Sequence, residues 1–76
     1  MFSGGKVYNY SKHAIYQMRR RSISKNEIIE CIENYDTRFT DKKGNPVYRA
    51  RLESGRGIKV VIAKDEPDFI VTTADY

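Results

Sequence analysis

Cysteine and histidine are nearly absent from this 76-residue sequence, which contains one residue of each and no tryptophan. A single cysteine, Cys31, excludes a disulfide within the chain, and its place on an apolar helical stripe indicates a small buried side chain rather than a nucleophile. With His13 as the one histidine, the chain supplies too few soft ligands for a structural zinc site. We therefore expect no disulfide, no metal and no cofactor.

Long apolar runs are also missing. No stretch approaches the roughly 20 residues that cross a bilayer, and residues 1–6 lack an apolar stretch of the signal-peptide kind. We therefore expect a cytoplasmic protein without membrane contact. A chain this short has room for one core, because it buries only roughly 60% of the surface that its unfolded form exposes. One domain is predicted over residues 11–76, preceded by an N-terminal arm, residues 1–10, that is either open or an extra edge strand.

Positive charge is concentrated at the N-terminal end. Residues 1–24 contain five basic residues and no acidic one, whereas residues 25–76 contain nine basic and ten acidic residues. Such a cluster is expected of a protein that binds a polyanion, although a solvated helix face is the commoner explanation of a short run of charge. Nucleic acid is therefore the preferred partner.

The first helix is predicted over residues 12–21, with Ser11 as its N-cap, because apolar residues recur there at the spacing of one helix face. On a neighbouring stripe, His13, Gln17 and Arg21 follow one another at intervals of four residues, so their side chains share one side of the helix. A proton-transfer group and a fixed cation are thus expected on the same side.

The second helix is predicted to begin at a capping box formed by Ser24 and Glu27, and to end between residues 34 and 36. From Thr37 onward, the apolar pattern changes from helical to alternating. It predicts four strands at residues 37–40, 47–53, 58–63 and 69–74. The expected fold is α+β, with two N-terminal helices packed on a four-stranded antiparallel sheet.

The central hairpin of this sheet can be given a register. The apolar residues of its two strands lie on the same face only if the connecting loop has an odd number of residues. We place this loop at residues 55–57. This register puts Glu53 opposite Lys59. If Phe69 and Val71 also face the apolar layer, Thr72 lies beside Lys59 on the outer face. The face away from the apolar layer is then predicted to carry Arg49, Arg51, Lys59 and Thr72.

The sequence resembles domain-of-unknown-function family 4258. The motif that carries the resemblance is serine, any residue, histidine and alanine at residues 11–14, followed by Met18, Arg21 and the pair Ile23-Ser24. Later stretches are similar too, namely residues 41–45, 57–61 and 70–72. The similarity covers about residues 9–74. One departure is Gln17, at a position before the methionine where the family usually has arginine.

This resemblance implies a relationship to the RelE and ParE toxins and to other small microbial ribonucleases in which two helices pack on an antiparallel sheet. It implies RNA as the substrate and a toxin–antitoxin context. The same group of folds also contains members that bind without cutting, so the fold alone does not determine the activity.

The leading hypothesis is a metal-independent endoribonuclease, in which an RNA 2′-hydroxyl attacks the adjacent phosphate. His13 is the candidate general base or acid, because histidine exchanges protons near neutral pH. The candidate charge-stabilising residues are Arg49, Arg51 and Lys59, and the candidate RNA-binding residues are Lys12, Gln17, Arg20, Arg21, Thr72 and Tyr76. Three alternatives stay open: His13 packs against the helix start, Arg21 bridges to Glu27 or Glu30, and Arg51 joins a cross-strand pair.

The second hypothesis is a non-catalytic module that binds RNA or a protein. An exposed strand edge can pair with an extended segment of a partner such as an antitoxin, or with a second copy to form a homodimer. Salt distinguishes the two kinds of partner, because affinity for RNA falls steeply as salt rises.

Overall fold

Both helices begin at the residues that the sequence predicts. The structure is a computed structural model that describes residues 7–76, so residues 1–6 of the predicted N-terminal arm lie outside the described part. Helix α1 spans Lys12–Arg21 and helix α2 spans Lys25–Glu33. The Ser11 hydroxyl accepts a hydrogen bond from the amide of Ala14 at 2.9 Å. It thereby satisfies a first-turn amide that has no partner within the helix.

Helix α2 begins with the predicted capping box. The Ser24 hydroxyl accepts a hydrogen bond from the Glu27 amide at 3.1 Å, and the Glu27 carboxylate accepts one from the Ser24 amide at 2.9 Å. Two otherwise unpartnered amides are satisfied reciprocally, which fixes where the helix starts. Neither α1 nor α2 is long and apolar enough to cross a membrane.

Five strands form one mixed sheet. They are β1 (Asn9–Tyr10), β2 (Thr37–Thr40), β3 (Pro46–Arg51), β4 (Gly57–Ile62) and β5 (Phe69–Asp75). Their spatial order is β1-β5-β4-β3-β2, in which β2 to β5 pair antiparallel and β1 runs parallel to β5. The α+β class with two helices is confirmed. The prediction of a four-stranded, wholly antiparallel sheet is wrong in the number of strands and in the direction of one of them.

Strand β1 is positioned by the residue that caps α1. The Ser11 amide donates a hydrogen bond to the carbonyl of Ile70 at 3.0 Å, and the Ser11 hydroxyl donates one to the carbonyl of Val71 at 2.7 Å. These bonds lay Asn9 and Tyr10 along β5, so the edge-strand alternative for the arm holds at these two residues. A two-residue strand is too short to show the alternation by which strands are recognised.

Alternate residues of β3 and β4 are buried beneath the helices. Helix α1 packs on β5, and α2 packs on β3 and β4. The buried cluster between these elements consists of Ala14, Ile23, Ile28, Cys31, Ala50, Leu52, Ile58, Val60, Ile62 and Ile70. Both helices lie on the same side of the sheet, and within residues 7–76 no helix covers the other side.

The β3–β4 hairpin turns earlier than predicted. The Leu52 amide donates a hydrogen bond to the Arg56 carbonyl at 2.8 Å, which leaves the three-residue loop 53–55. The predicted loop, residues 55–57, has the correct odd length but lies two residues too late. Lys59 is consequently opposite Arg49 rather than Glu53.

The register error leaves the faces of β3 and β4 unchanged. On β5, Lys59 pairs with Ala74, whereas Thr72 pairs with Val61. The β3 partner of Lys59 differs from the predicted one by four residues, an even number. Because side chains alternate with a period of two, every residue of β3 and β4 stays on its predicted face. On β5, the expectation that Phe69 and Val71 face the apolar layer is wrong, because Ile70 is buried opposite Ile62 and the pairing is irregular between Val61 and Ile62.

The hairpin contains two glycines that could form its turn, and a contact with Tyr76 explains why only one of them does. Gly55 takes the left-handed conformation at the end of the loop, with φ 93°. Gly57 is a strand residue, and a Cβ atom placed there would lie 2.8 Å from the ring of Tyr76. This contact joins segments that are distant in sequence, so the hairpin sequence alone does not reveal it.

An arginine in the hairpin, Arg56, joins the two helices to the sheet. Its guanidinium donates hydrogen bonds to the Ser22 carbonyl at 2.8 Å, to the Glu27 carboxylate at 3.2 Å and to the Asp75 carboxylate at 3.2 Å. It also donates to the carbonyl of Arg21. The end of α1, the start of α2 and the end of β5 therefore meet at one side chain.

Arg21 has a structural role, as one of the alternatives proposes, but with a different partner. Its guanidinium lies 2.8 Å from the Asp75 carboxylate. The predicted bridge from Arg21 to Glu27 or Glu30 is wrong, because Arg56 occupies Glu27. Asp75 thus binds two arginines.

We predict that Ser24→Ala lowers the free energy of unfolding by about 1 kcal/mol, because the Glu27 amide loses its acceptor. Urea denaturation measures the change. Ser24→Asp is the matched control, since aspartate also accepts at an N-cap, and it should retain nearly the wild-type stability. Equal stability of Ser24→Ala and wild type would contradict a stabilising capping box.

The Asp75 carboxylate makes stability depend on pH. The hydrogen bond from Arg21, and then that from Arg56, holds the pKa of Asp75 below its ordinary value of 3.8. A lowered folded-state pKa contributes stability that is fully present above the unfolded-state value and is lost as the pH falls through the folded-state value. We expect the stability difference between wild type and Asp75→Asn to shrink as urea denaturation is repeated from pH 6 towards pH 2. The control is Asp65→Asn, at an exposed aspartate, which should keep the wild-type dependence of stability on pH. If Asp75→Asn loses stability in acid as steeply as the wild type, Asp75 is not the source of this dependence.

Candidate nucleic-acid interface

The face of the sheet away from the helices, called the open face below, carries three positively charged side chains and no acidic one among its outward-pointing strand residues. It consists of Thr37, Phe39, Val47, Arg49, Arg51, Gly57, Lys59, Val61, Thr72, Ala74 and, directly after β5, Tyr76. Pairing between strands sorts these residues into three rows that cross the sheet.

The central row contains two cations side by side. It runs Thr37, Arg49, Lys59 and Ala74, so Arg49 and Lys59 are direct cross-strand partners. Like charges directly opposite one another destabilise a sheet. Neither charge has an ion-pair partner within residues 7–76. The pair is therefore a place where an external anion would relieve repulsion.

The row beside it is built on an aromatic ring. It runs Arg51, Gly57 and Tyr76, and the Tyr76 amide donates a hydrogen bond to the Gly57 carbonyl at 3.0 Å. The guanidinium carbon of Arg49 lies 4.4 Å from the centre of the Tyr76 ring, and that of Arg51 lies 5.8 Å from it. Arg51 also donates to the Gly55 carbonyl at 2.7 Å, which holds it at the rim of the face.

A groove of about 190 Å³ lies between these two rows, and six residues line it: Phe39, Arg49, Lys59, Ala74, Asp75 and Tyr76. Asp75 is the acidic residue of this lining, and its carboxylate is neutralised by Arg21 and Arg56 on the helix side of the sheet. The groove therefore presents cations and aromatic rings to solvent, with its one acid already paired.

The third row lies next to His13. It runs Phe39, Val47, Val61 and Thr72. The exposed His13 lines a second groove, of about 460 Å³, together with Val61 and Thr72. The two grooves adjoin, because Lys59 and Val61 are two residues apart on β4 and hence about 7 Å apart.

Two lysines that the sequence interpretation passed over form the other wall of the His13 groove. Lys42 and Lys43 lie at the tip of the β2–β3 turn. The Asp41 carboxylate accepts hydrogen bonds from the amides of Lys43 at 2.9 Å and Asn45 at 2.8 Å. These bonds, that from the Asn45 amide foremost, lower the pKa of Asp41 and fix the turn. The feature of the sequence that could have indicated them is the pair of adjacent lysines in a polar turn.

The predicted site residues are thus divided between adjoining grooves. Arg49 and Lys59 line one groove with Tyr76, and Arg51 lies at its rim. His13 and Thr72 line the other. Of the predicted cations, Lys59 lies nearest to the His13 groove, since it is the diagonal neighbour of Thr72 at a distance of about 7–8 Å.

Four predicted RNA-binding residues on α1 lie outside these grooves. Gln17 accepts a hydrogen bond from Arg21 at 3.2 Å, and both side chains are partly buried in the contact with β5. Lys12 and Arg20 are exposed. Arg20 follows His13 by seven residues, about two turns, and shares its side of α1, whereas Lys12 lies about 100° around the helix from His13.

Cys31 is buried, as expected. Its thiol lies 3.3 Å from the carbonyl of Ile58, to which it donates, and burial, with smaller contributions from Asp36 and Glu30, raises the pKa of the thiol to about 12. The reactive thiolate is therefore scarce at neutral pH.

The exposed edge that could pair with a protein partner or a second copy is β2. This strand ends the sheet on the side opposite β1, and all four of its residues, Thr37–Thr40, are exposed. One of them is Arg38, and a charged residue on an edge strand disfavours unspecific pairing.

Residues 10–75 match the model of the family described as Domain of unknown function (DUF4258), and the chain belongs to this family. Among curated proteins and among solved structures, none matches the chain significantly. Within residues 7–76, the fold is a small α+β domain in which no helix covers the basic face of the sheet.

Proposed function

We propose that this protein is an RNA-binding protein with a RelE-like fold, and that its open face binds the RNA backbone. The observation that carries this proposal is the direct pairing of Arg49 with Lys59. Their mutual repulsion costs stability in the free protein, and a phosphate held between them offsets that cost. An arginine fork and a lysine point charge are both common phosphate-binding groups.

RNA is favoured over other polyanions by what surrounds the cations. Phe39 and Tyr76 are 43% and 52% exposed and line the same groove as Arg49 and Lys59. Exposed aromatic rings beside cations are the elements with which proteins bind unpaired bases next to a phosphate backbone. The resemblance of the Ser11–Ala14 motif to relatives of RelE and ParE supports the same substrate.

We predict that Arg49→Ala weakens binding of a fluorescein-labelled 12-nucleotide RNA by about tenfold at moderate salt, because a charge-assisted phosphate contact is lost. Fluorescence anisotropy over a salt series measures it, and the slope of log affinity against log salt should become shallower by about one.

Arg38→Ala is the matched control for this measurement. Arg38 is exposed on β2, but it pairs with Tyr48 on the helix side of the sheet, with its guanidinium 5.4 Å from that ring. Both variants remove one positive charge, so only a contact at the open face separates them. Equal losses in Arg49→Ala and Arg38→Ala would reject the open face as the RNA surface.

A second candidate function, metal-independent RNA cleavage, is favoured by the exposed His13 beside Thr72, Lys42 and Lys43. In this reaction a 2′-oxygen forms a bond to phosphorus while the bond to the 5′-oxygen breaks, leaving a 2′,3′-cyclic phosphate and a 5′-hydroxyl. His13 would take the proton from the 2′-hydroxyl or deliver one to the 5′-oxygen, and the lysines would stabilise the charge that develops on phosphate.

We predict that His13→Ala slows cleavage of cellular RNA by roughly 10²–10⁴-fold in the presence of a chelator, with RNA affinity unchanged. Gel analysis of the products, with a test for cyclic phosphate ends, measures it. The neighbouring exposed Lys12 gives the control, Lys12→Ala, which should cut at nearly the wild-type rate. Full activity of His13→Ala, or loss of wild-type activity with chelator, would reject this mechanism, and an inactive wild-type protein would leave binding as the function.

A further inference from the structure

Three layers are stacked at the edge of the open face. The backbone of Gly57 forms the lowest layer, because a Cβ atom there would lie 2.8 Å from two carbons of the Tyr76 ring. The Tyr76 ring is the middle layer. The guanidinium of Arg49 lies above it, 4.4 Å from the ring centre. The absence of a side chain at Gly57 is what lets the ring lie this low on the sheet.

The stack holds a flexible side chain in one orientation. An arginine on a sheet surface normally samples many rotamers, and ordering it on binding costs entropy. Attraction between the cation and the ring keeps the guanidinium over Tyr76 before any ligand arrives. Arg49 is therefore already oriented when RNA binds.

The neighbours of the stack indicate what the ligand is. The adjoining groove has a volume of about 190 Å³, and both Phe39 and Lys59 line it. Aromatic rings beside two cations suit a ligand that combines a flat ring with a negative charge. A nucleobase stacks on arginine planes and aromatic rings, and its phosphate would reach the Arg49–Lys59 pair.

We propose that the Gly57–Tyr76–Arg49 stack is a platform for an unpaired nucleobase, so that the protein selects single-stranded RNA over duplex. This inference rests on the proposed RNA-binding function and adds its substrate class. In a duplex the base faces are covered by their neighbours, and only the backbone and groove edges can reach the open face.

Gly57→Ala tests the platform without removing a charge. Gly57 is not among the residues with positive φ, so alanine fits its backbone, and the three heavy atoms nearest to the added Cβ all belong to the Tyr76 ring. The ring must move, and Arg49 loses its support. Tyr76→Ala removes the ring itself, whereas Tyr76→Phe keeps the ring and should preserve the platform.

The experiment compares three fluorescent probes of equal length by anisotropy: a 12-nucleotide oligouridylate, an abasic ribose-phosphate 12-mer and a 12-base-pair RNA duplex. We expect the wild type and Tyr76→Phe to bind oligouridylate about tenfold more tightly than the abasic strand, in keeping with stacking of a base. Gly57→Ala and Tyr76→Ala should each reduce this ratio to near one, because affinity for oligouridylate falls more than affinity for the abasic strand. The double variant Gly57→Ala/Tyr76→Ala should have the same affinity ratio as Tyr76→Ala alone. Tyr16→Ala, which removes an exposed ring on α1, should have the wild-type ratio.

The outcomes separate the two proposals. A wild-type preference for the base-bearing strand that persists in Tyr76→Ala overturns the platform, as does equal wild-type affinity for the two strands or a preference for duplex. In each of these cases the protein still binds RNA, so the proposed function stands. If the folded wild type binds none of the three probes, both proposals fail. Circular dichroism and thermal melting confirm that each variant is folded.

Discussion

Burial of alternate residues of β3 and β4 beneath two helices is the constraint on which the rest of the structure depends. Because neighbouring residues of a strand point to opposite faces, placing Ala50 in the core puts Arg49 and Arg51 on the other face. The same alternation around Val60 turns Lys59 outward. Both helices lie on one side, so the basic character of the open face is a direct consequence of how the core is built.

The ion-pair network on the helix side is connected to the open face through the peptide bond between two consecutive residues, Asp75 and Tyr76. Asp75 is bound by Arg21 and Arg56, which fixes the end of β5 against the ends of both helices. Tyr76 follows it and points the opposite way, onto Gly57. A cluster that looks purely structural therefore also determines where an aromatic ring lies on the open face. Arg56, a hairpin residue in the sequence, is the side chain that joins the end of α1, the start of α2 and the end of β5.

The open face is stabilised less well than it could be. Glu53 opposite Lys59 would have given an ordinary cross-strand ion pair, whereas the observed partner of Lys59 is Arg49. A protein that retains two adjacent cations gives up some stability at that position. The proposed RNA contact explains this arrangement, because the phosphate backbone supplies the missing negative charge. The proposed stack on Tyr76 would orient one of the two cations for the same ligand.

Local signals in the sequence determined both helices, the positions of β2 to β5 and the faces of β3 and β4. Capping contacts such as Ser24 with Glu27 span three residues, and alternation has a period of two, so a short segment contains all the information that they need. The charged and apolar faces of β3 and β4 were correct although the register was not, because the hairpin shifted by an even number of residues. The candidate cations Arg49, Arg51 and Lys59 were therefore assigned to the correct face.

The tertiary structure alone decided which of those residues meet. An even shift leaves the alternation unchanged, so the sequence pattern could not choose between Glu53 and Arg49 as the partner of Lys59. The parallel strand β1 depends on bonds from Ser11 to β5, and the partner of Arg21 lies 54 residues away. The separation of His13 from Arg49 into adjoining grooves has the same cause. Each of these features is a contact between distant segments, whose energy depends on how the whole chain packs and leaves no periodic trace in the sequence.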